Sequence, residues 1–216
     1  LNTELLIKQS LPTLFDGLRV TIEITVISLI IAIIIGLIIG LMNISRNKVL
    51  KIIAIIYIDI VRGTPLIVQA FFIYFGLPAV LDFKINALTA GIIAISFNAG
   101  AYMAEIFRAG ILSIDKGQME AARSLGLPYG KSMTKIILPQ AVRRMVPALI
   151  NQFIISLKDT SILSVIGIQE LTQSGEIIIA STFKSFQIWS VVGIMYFILI
   201  MILTVLSRNI ERRLKV

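Results

Sequence analysis

From Ile24 to Ser45 the chain runs for 22 residues without a charged side chain. A helix needs about 20 mostly apolar residues to cross the hydrocarbon of a bilayer, so this run reads as a membrane span whose helix starts several residues earlier. It begins past residue 20 and is too long for the apolar stretch of a secretory signal, so it is expected to stay as an anchor. A second apolar stretch, Val49 to Val80, is too long for one straight span. It contains Arg62-Gly63-Thr64-Pro65, which predicts a kink or break. A third is uncharged from Ile85 to Ala104 and ends near Ile111. A fourth, Met145 to Ile168, is interrupted by Lys158-Asp159, and a fifth runs from Ser185 to Ser207. The expected fold is an all-α integral membrane protein with five transmembrane helices, forming a single membrane domain over residues 1–216.

Composition agrees. Apolar residues make up 57% of the chain and charged residues 15%, whereas soluble domains carry about 25% charged residues. The net charge of +8 does not indicate nucleic acid, because the cations sit in short clusters between apolar runs. The clusters are Arg46/Lys48/Lys51, Lys131/Lys135/Arg143/Arg144 and Arg208/Arg212/Arg213/Lys215. Cytoplasmic loops have this character. The segments near Asp82/Lys84 and around Glu170/Glu176/Lys184 show no basic excess. The predicted topology therefore has the N-terminus outside and the C-terminus in the cytoplasm. The chain has no cysteine and no histidine. It thus lacks thiol chemistry, the commonest metal ligand and the commonest general base. An intramembrane protease is excluded on residues, and neither a catalytic nor a metal site is expected.

One long hydrophilic stretch, about residues 113–135, separates the third and fourth spans. Asp115 can cap a helix with Gln118 three residues on, Gly126 suits the C-terminal end, and Pro128 follows. A surface helix is predicted over Lys116 to Leu125. The stretch reads Gly117-Gln118-Met119-Glu120-Ala121-Ala122-Arg123-Ser124-Leu125-Gly126, then nine residues, then Ile136-Ile137-Leu138-Pro139. This pattern is similar to the signature loop of bacterial ABC importer permeases. Val61 to Leu66, Ala101 to Gly110 and Ser156 to Ser161 resemble the second, third and fourth spans of the polar amino-acid permeases within that family. The resemblance covers nearly the whole chain from about residue 12. It implies a permease subunit whose cytoplasmic helix couples to a separate ATPase dimer through Gly117, Glu120, Ala121, Ala122 and Gly126. It also implies a second permease copy, identical or paralogous, and an extracellular or periplasmic amino-acid-binding protein in a bacterial cell membrane. ATP and Mg would belong to the partner ATPase: Gly130-Lys131-Ser132 is no P-loop, since Leu125 stands where the first glycine is required and no strand precedes it. A stand-alone channel or secondary transporter is the rival reading, but it would have no use for a docking loop.

Charges in mid-membrane cost about 2.5–3.5 kcal/mol each on insertion scales and so need partners or a function. The candidates are Glu23, Asp59, Arg62, Glu105, Arg108, Lys158 and Asp159. Glu105 with Arg108 is read as a structural i,i+3 pair. The candidate substrate ligands are Glu23, Asp59, Arg62, Gly63, Thr64, Asn98, Lys158 and Asp159. Arg62 would grip a carboxylate, helped by backbone N–H groups freed at Gly63 and Thr64. Three acids against two bases leave one negative charge over, which predicts a basic amino acid (arginine, lysine or histidine) if all five charges share one cavity; glutamine or glutamate is the alternative. Gly36 and Gly40 are expected to pack helices closely.

Overall fold

The structure is a computed structural model describing residues 3–214, and among these every regular element is helical. The first helix, α1 (Thr3–Asn43), is followed by α2 (Lys48–Arg62), α3 (Leu66–Phe71), a π-helical turn (Phe72–Gly76) and α4 (Leu77–Leu81). The long α5 (Ala87–Leu112) leads to α6 (Lys116–Ser124), α7 (Tyr129–Ser132) and a second π turn (Met133–Ile137). Then come α8 (Leu138–Asp159), a 3₁₀ segment (Thr160–Ile166), α9 (Leu171–Thr182) and α10 (Ser185–Leu214).

Four helical stretches are long and apolar enough to cross a membrane: Glu4–Asn43, Ala87–Leu112, Tyr129–Ile166 and Ser185–Arg213. Among the described residues a fifth candidate is the pair Lys48–Arg62 with Leu66–Leu81, which passes the same test only when counted as one broken span and is bent by 103°. The break falls in the expected Arg62-Gly63-Thr64-Pro65 segment. Pro65 is the extended residue that precedes α3; lacking an N–H and crowding the residue before it, a proline stops a helix that would otherwise continue.

Both π turns lie just ahead of a proline, Pro78 and Pro139. A proline inside a helix lacks an N–H and its ring crowds the carbonyl four residues back. The wider turn relieves both problems: Leu77 N–H reaches Phe72 O, and Leu138 N–H reaches Met133 O.

The central contact is α1 against α5, lying side by side with the same chain direction. Gly36 and Gly40 make it possible. A Cβ on Gly36 would sit 2.6 Å from the Met103 Cβ, and one on Gly40 3.0 Å from the Ala104 carbonyl oxygen. Leu29, Ala32, Ala99 and Met103 are buried in this seam. A second core, formed by Ile24, Leu66, Ala70, Ala94, Ile95 and Leu163, ties the α3 arm and the 3₁₀ segment to α1 and α5. Around them, isoleucines and phenylalanines of α1, α2 and α10 remain exposed, as a lipid-facing surface requires.

The region of Glu170 and Glu176, read from sequence as a loop, contains α9. Glu170 is fully buried and caps it: its carboxylate accepts from Thr172 N (2.9 Å), Gln173 N (2.8 Å) and the Tyr196 hydroxyl (2.9 Å). Leu171 N donates to Thr21 Oγ1 at 3.1 Å. These bonds join α1, α9 and α10.

Candidate functional site

The break between α2 and α3 is held by Gln69, which sequence reasoning passed over. Its Nε2 lies 2.7 Å from Val61 O, 3.1 Å from Thr64 O and 2.9 Å from Thr64 Oγ1, while its Oε1 accepts from Asn98 Nδ2 at 3.1 Å. The carbonyls that lose helical partners at the break are thus satisfied, and the break is tied to α5. The Thr64 hydroxyl donates to Ile60 O at 2.9 Å. The Gly63 N–H is not free, contrary to expectation: it donates to Asp59 O at 2.9 Å. Gly63 completes the last turn of α2 instead of presenting its N–H to a ligand.

A cavity of about 610 Å³ opens at this break. Arg62, Gly63, Thr64, Asn98, Tyr102, Gln152 and Asp159 line it, within the range of about 300–1,000 Å³ common for small-molecule sites. Five of the eight sequence-nominated residues therefore meet there. Asn98 and Gln152 are buried polar side chains on facing helices α5 and α8. Tyr102 and Gln152 complete the lining without being among the nominated ligands.

Three nominated residues lie elsewhere. Glu23 is on the exposed side of α1, paired with Arg19 at 2.7 Å; a partner one helical turn back satisfies it locally. Asp59 and Lys158 are exposed and do not line the cavity; Lys158 points about 100° away from Asp159, which does. The count of three acids against two bases does not survive. The nominated charges at the cavity are Arg62 and Asp159, one of each sign.

Arg62 does not pair with Asp59. It lies 5.2 Å from the centroid of the Tyr102 ring, and its Nη1 is 3.8 Å from Glu105 Oε2. Glu105 is gripped by Arg108 through two bonds of 2.9 Å, as expected for the i,i+3 pair. It also accepts from Asn43 Nδ2 at 3.2 Å. Arg62, Tyr102 and Gln152 are shared with a second cavity of about 580 Å³, which continues along α5 and α8 to Ser113 and Arg144. The two cavities adjoin along α5 and α8 and form one open route on a side of the chain.

The helix α6 stands at the end of that route. Asp115 Oδ1 accepts from Gly117 N at 2.7 Å, so the predicted cap is present. Gln118 completes no capping box; its Oε1 accepts from Gln140 Nε2 on α8 at 3.4 Å. The helix ends with Gly126 at φ +82°, where Gly126 N–H reaches Arg123 O and Leu127 N–H reaches Ala122 O. This double closure needs a left-handed residue, which glycine adopts without strain. Gly117, Glu120, Ala121 and Gly126 are exposed. Ala122 is not, at 2% exposure. It faces the chain's own body and cannot touch a partner directly, because adjacent helix residues point about 100° apart.

Residues 32–216 match the family described as binding-protein-dependent transport system inner membrane component, and the chain belongs to it. It is 43% identical over 208 residues to the glutamine transport system permease protein GlnP of Escherichia coli (strain K12), covering 96% of this chain and 95% of the relative. It is 40% identical over 205 residues to the arginine transport system permease protein ArtQ of Bacillus subtilis (strain 168), covering 95% and 94%. Among solved structures, an amino acid ABC transporter crystallised with histidines matches with a TM-score of 0.93 at 40% identity, over 99% of both chains. An inward-facing MetNI methionine ABC transporter shares the fold, with a TM-score of 0.79 at 22% identity. The chain is thus an inner-membrane permease subunit of the ABC importer class.

Proposed function

We propose that this permease imports a polar amino acid with a neutral side chain, of the glutamine type, through the cavity at the α2–α3 break. One observation carries the reading: the nominated charges reaching that cavity are one cation and one anion, Arg62 and Asp159. A zwitterion supplies their complement. The Arg62 guanidinium takes the α-carboxylate as a planar fork, Asp159 takes the ammonium, and Asn98, Gln152 and Thr64 offer hydrogen bonds to a polar side chain. The relative named for glutamine supports this reading. A basic substrate is the second reading, favoured by the relative named for arginine and by the transporter crystallised with histidines.

The orientation follows from the basic clusters, with the N-terminus outside and α6 in the cytoplasm. Two permease copies, identical unless a paralogue replaces one, flank the route. A separate ATPase dimer receives Gly117, Glu120, Ala121 and the Gly126 end of α6, while an outside binding protein delivers substrate. ATP with Mg is consumed on the ATPase. Closure of that dimer favours one arrangement of the spans and hydrolysis releases it, so the chemical energy enters as differential contact at α6.

The test is uptake into proteoliposomes containing the permease, its ATPase and its binding protein, with labelled glutamine and arginine. Asp159→Asn should lower glutamine uptake at least about tenfold, the scale of one lost charge-assisted hydrogen bond, while the complex stays assembled. Arginine carried in strong preference to glutamine would sink the neutral-substrate reading. Undiminished uptake by Asp159→Asn would remove this cavity from the pathway.

A further inference from the structure

A third cavity, of about 450 Å³, lies on the other side of Glu105 from the second, where the turn between α1 and α2 meets the end of α5. Its polar lining is Asn43, Lys51, Glu105 and Arg108, and its walls include Ile55 and Leu112. The charge is unbalanced. Glu105 is already committed to Arg108 and Asn43, with Arg62 3.8 Å away. Among the described residues Lys51 has no ion-pair partner. Lys51 and Arg108 against Glu105 leave one positive charge, and Arg62 behind adds to it.

Arg108 spends its Nε and Nη2 on Glu105, leaving N–H groups on a guanidinium that carries five. The cavity thus presents an ammonium and part of a guanidinium to a group that must bring negative charge and several acceptor oxygens. A phosphate diester fits that description.

The surroundings say which molecule carries it. Ile52, Ile53 and Ile56 of α2 and Leu112 of α5 are exposed apolar side chains. Arg46 sits in the adjoining turn and Lys48 begins α2. A site with cations at one level and bare aliphatic surface beside it matches a phospholipid at the membrane interface, headgroup on the cations and tails on the isoleucines. We propose that this cavity binds the headgroup phosphate of an anionic phospholipid. The bound lipid would brace the ion-pair cluster around Glu105, which also positions Arg62.

The test is native mass spectrometry of the permease–ATPase complex released from nanodiscs of mixed phosphatidylglycerol and phosphatidylcholine. It reads bound lipid whichever way the chain is inserted and whatever the substrate. Wild type should retain phosphatidylglycerol in preference to phosphatidylcholine. Lys51→Gln should weaken that retention about fivefold, the effect of one lysine near an anionic surface, and Lys51→Arg should keep it. Arg46→Gln, outside the lining, should change it much less. Equal losses for Lys51→Gln and Arg46→Gln would mean diffuse attraction and would overturn the site, as would no preference in wild type. Complete displacement by inorganic phosphate would assign the cavity to a free anion instead. Disulfide formation between two copies through Lys51→Cys, with lipid excluded, would give this face to a second copy and also overturn the proposal.

Discussion

Replacing Gln69 by leucine tests whether the broken helix depends on one side chain. Leucine keeps most of the volume and removes every polar contact. The Nε2 group faces three acceptors but has two hydrogens, so at most two donated bonds and the one accepted from Asn98 are lost. Each is worth about 1 kcal/mol net. The contacts to Val61 O and Asn98 are half-buried, while those to Thr64 are exposed and can be taken over by water. A total of about 2 kcal/mol follows, or a roughly 30-fold fall in the ratio of seated to unseated break. The assay is substrate uptake below saturation in proteoliposomes with ATPase and binding protein. Gln69→Leu should lower it by more than twofold and by no more than about 30-fold, the limit set by the shifted ratio. Asn98→Ala should lower it less, and the double variant should be no worse than Gln69→Leu plus a small remainder, because the two residues share a bond. Thermal unfolding in detergent should move only a few degrees, since the four uninterrupted spans are untouched. Uptake within twofold of wild type for Gln69→Leu would refute the argument that this side chain holds the site open.

Three further perturbations separate neighbouring roles. Gly36→Leu should lower the unfolding temperature through overpacking worth about 1–3 kcal/mol or more, because its Cβ would meet Met103 at 2.6 Å; Gly193→Leu, with open space around it, should not, and equal effects would contradict the α1–α5 seam. Ala121→Trp should leave thermal stability unchanged but abolish coupling of ATP hydrolysis to transport, whereas Ala122→Trp should do both kinds of damage because that position is buried; the same melting temperature for both would refute the assignment of inner and outer faces. Burial raises the Glu170 pKa above its ordinary 4.5, opposed by hydrogen bonds from Thr172, Gln173 and Tyr196. The protonated form is therefore relatively favoured in the fold, and its stabilising contribution is present below the unfolded value and lost as pH rises through the folded one. Melting curves followed upward from pH 4.5 should show this loss in wild type and a flatter profile in Glu170→Gln; parallel profiles would contradict it.

The spans were legible in the sequence because a bilayer sets a length and polarity requirement that needs no knowledge of neighbours. The same holds for the break at Gly63 to Pro65 and for the ends of α6. Proline stereochemistry, the aspartate cap and the left-handed glycine at 126 are local effects, written within a few residues. The family pattern from Glu120 to Pro139 is likewise contiguous. The charge count failed for the opposite reason: which mid-membrane residues share a cavity depends on the rotation of each helix against the others. Glu23 was lost to Arg19, and Asp59 and Lys158 turned outward, though each stands within three residues of a group that lines the site. Helix rotation also separated Ala121 from Ala122, identical residues with one exposed face between them. Gln69, α9 and the buried Glu170 lay beyond reach because their partners come from other helices, up to 150 residues apart in the bond from Leu171 to Thr21. The sequence by itself determined that the chain crosses a membrane and where it bends, and it carried the contiguous pattern that marks the family. Only the packing of α1, α5, α8 and α9 decided which charges meet, because hydrophobicity is a property of a segment and a binding site is a property of several segments at once.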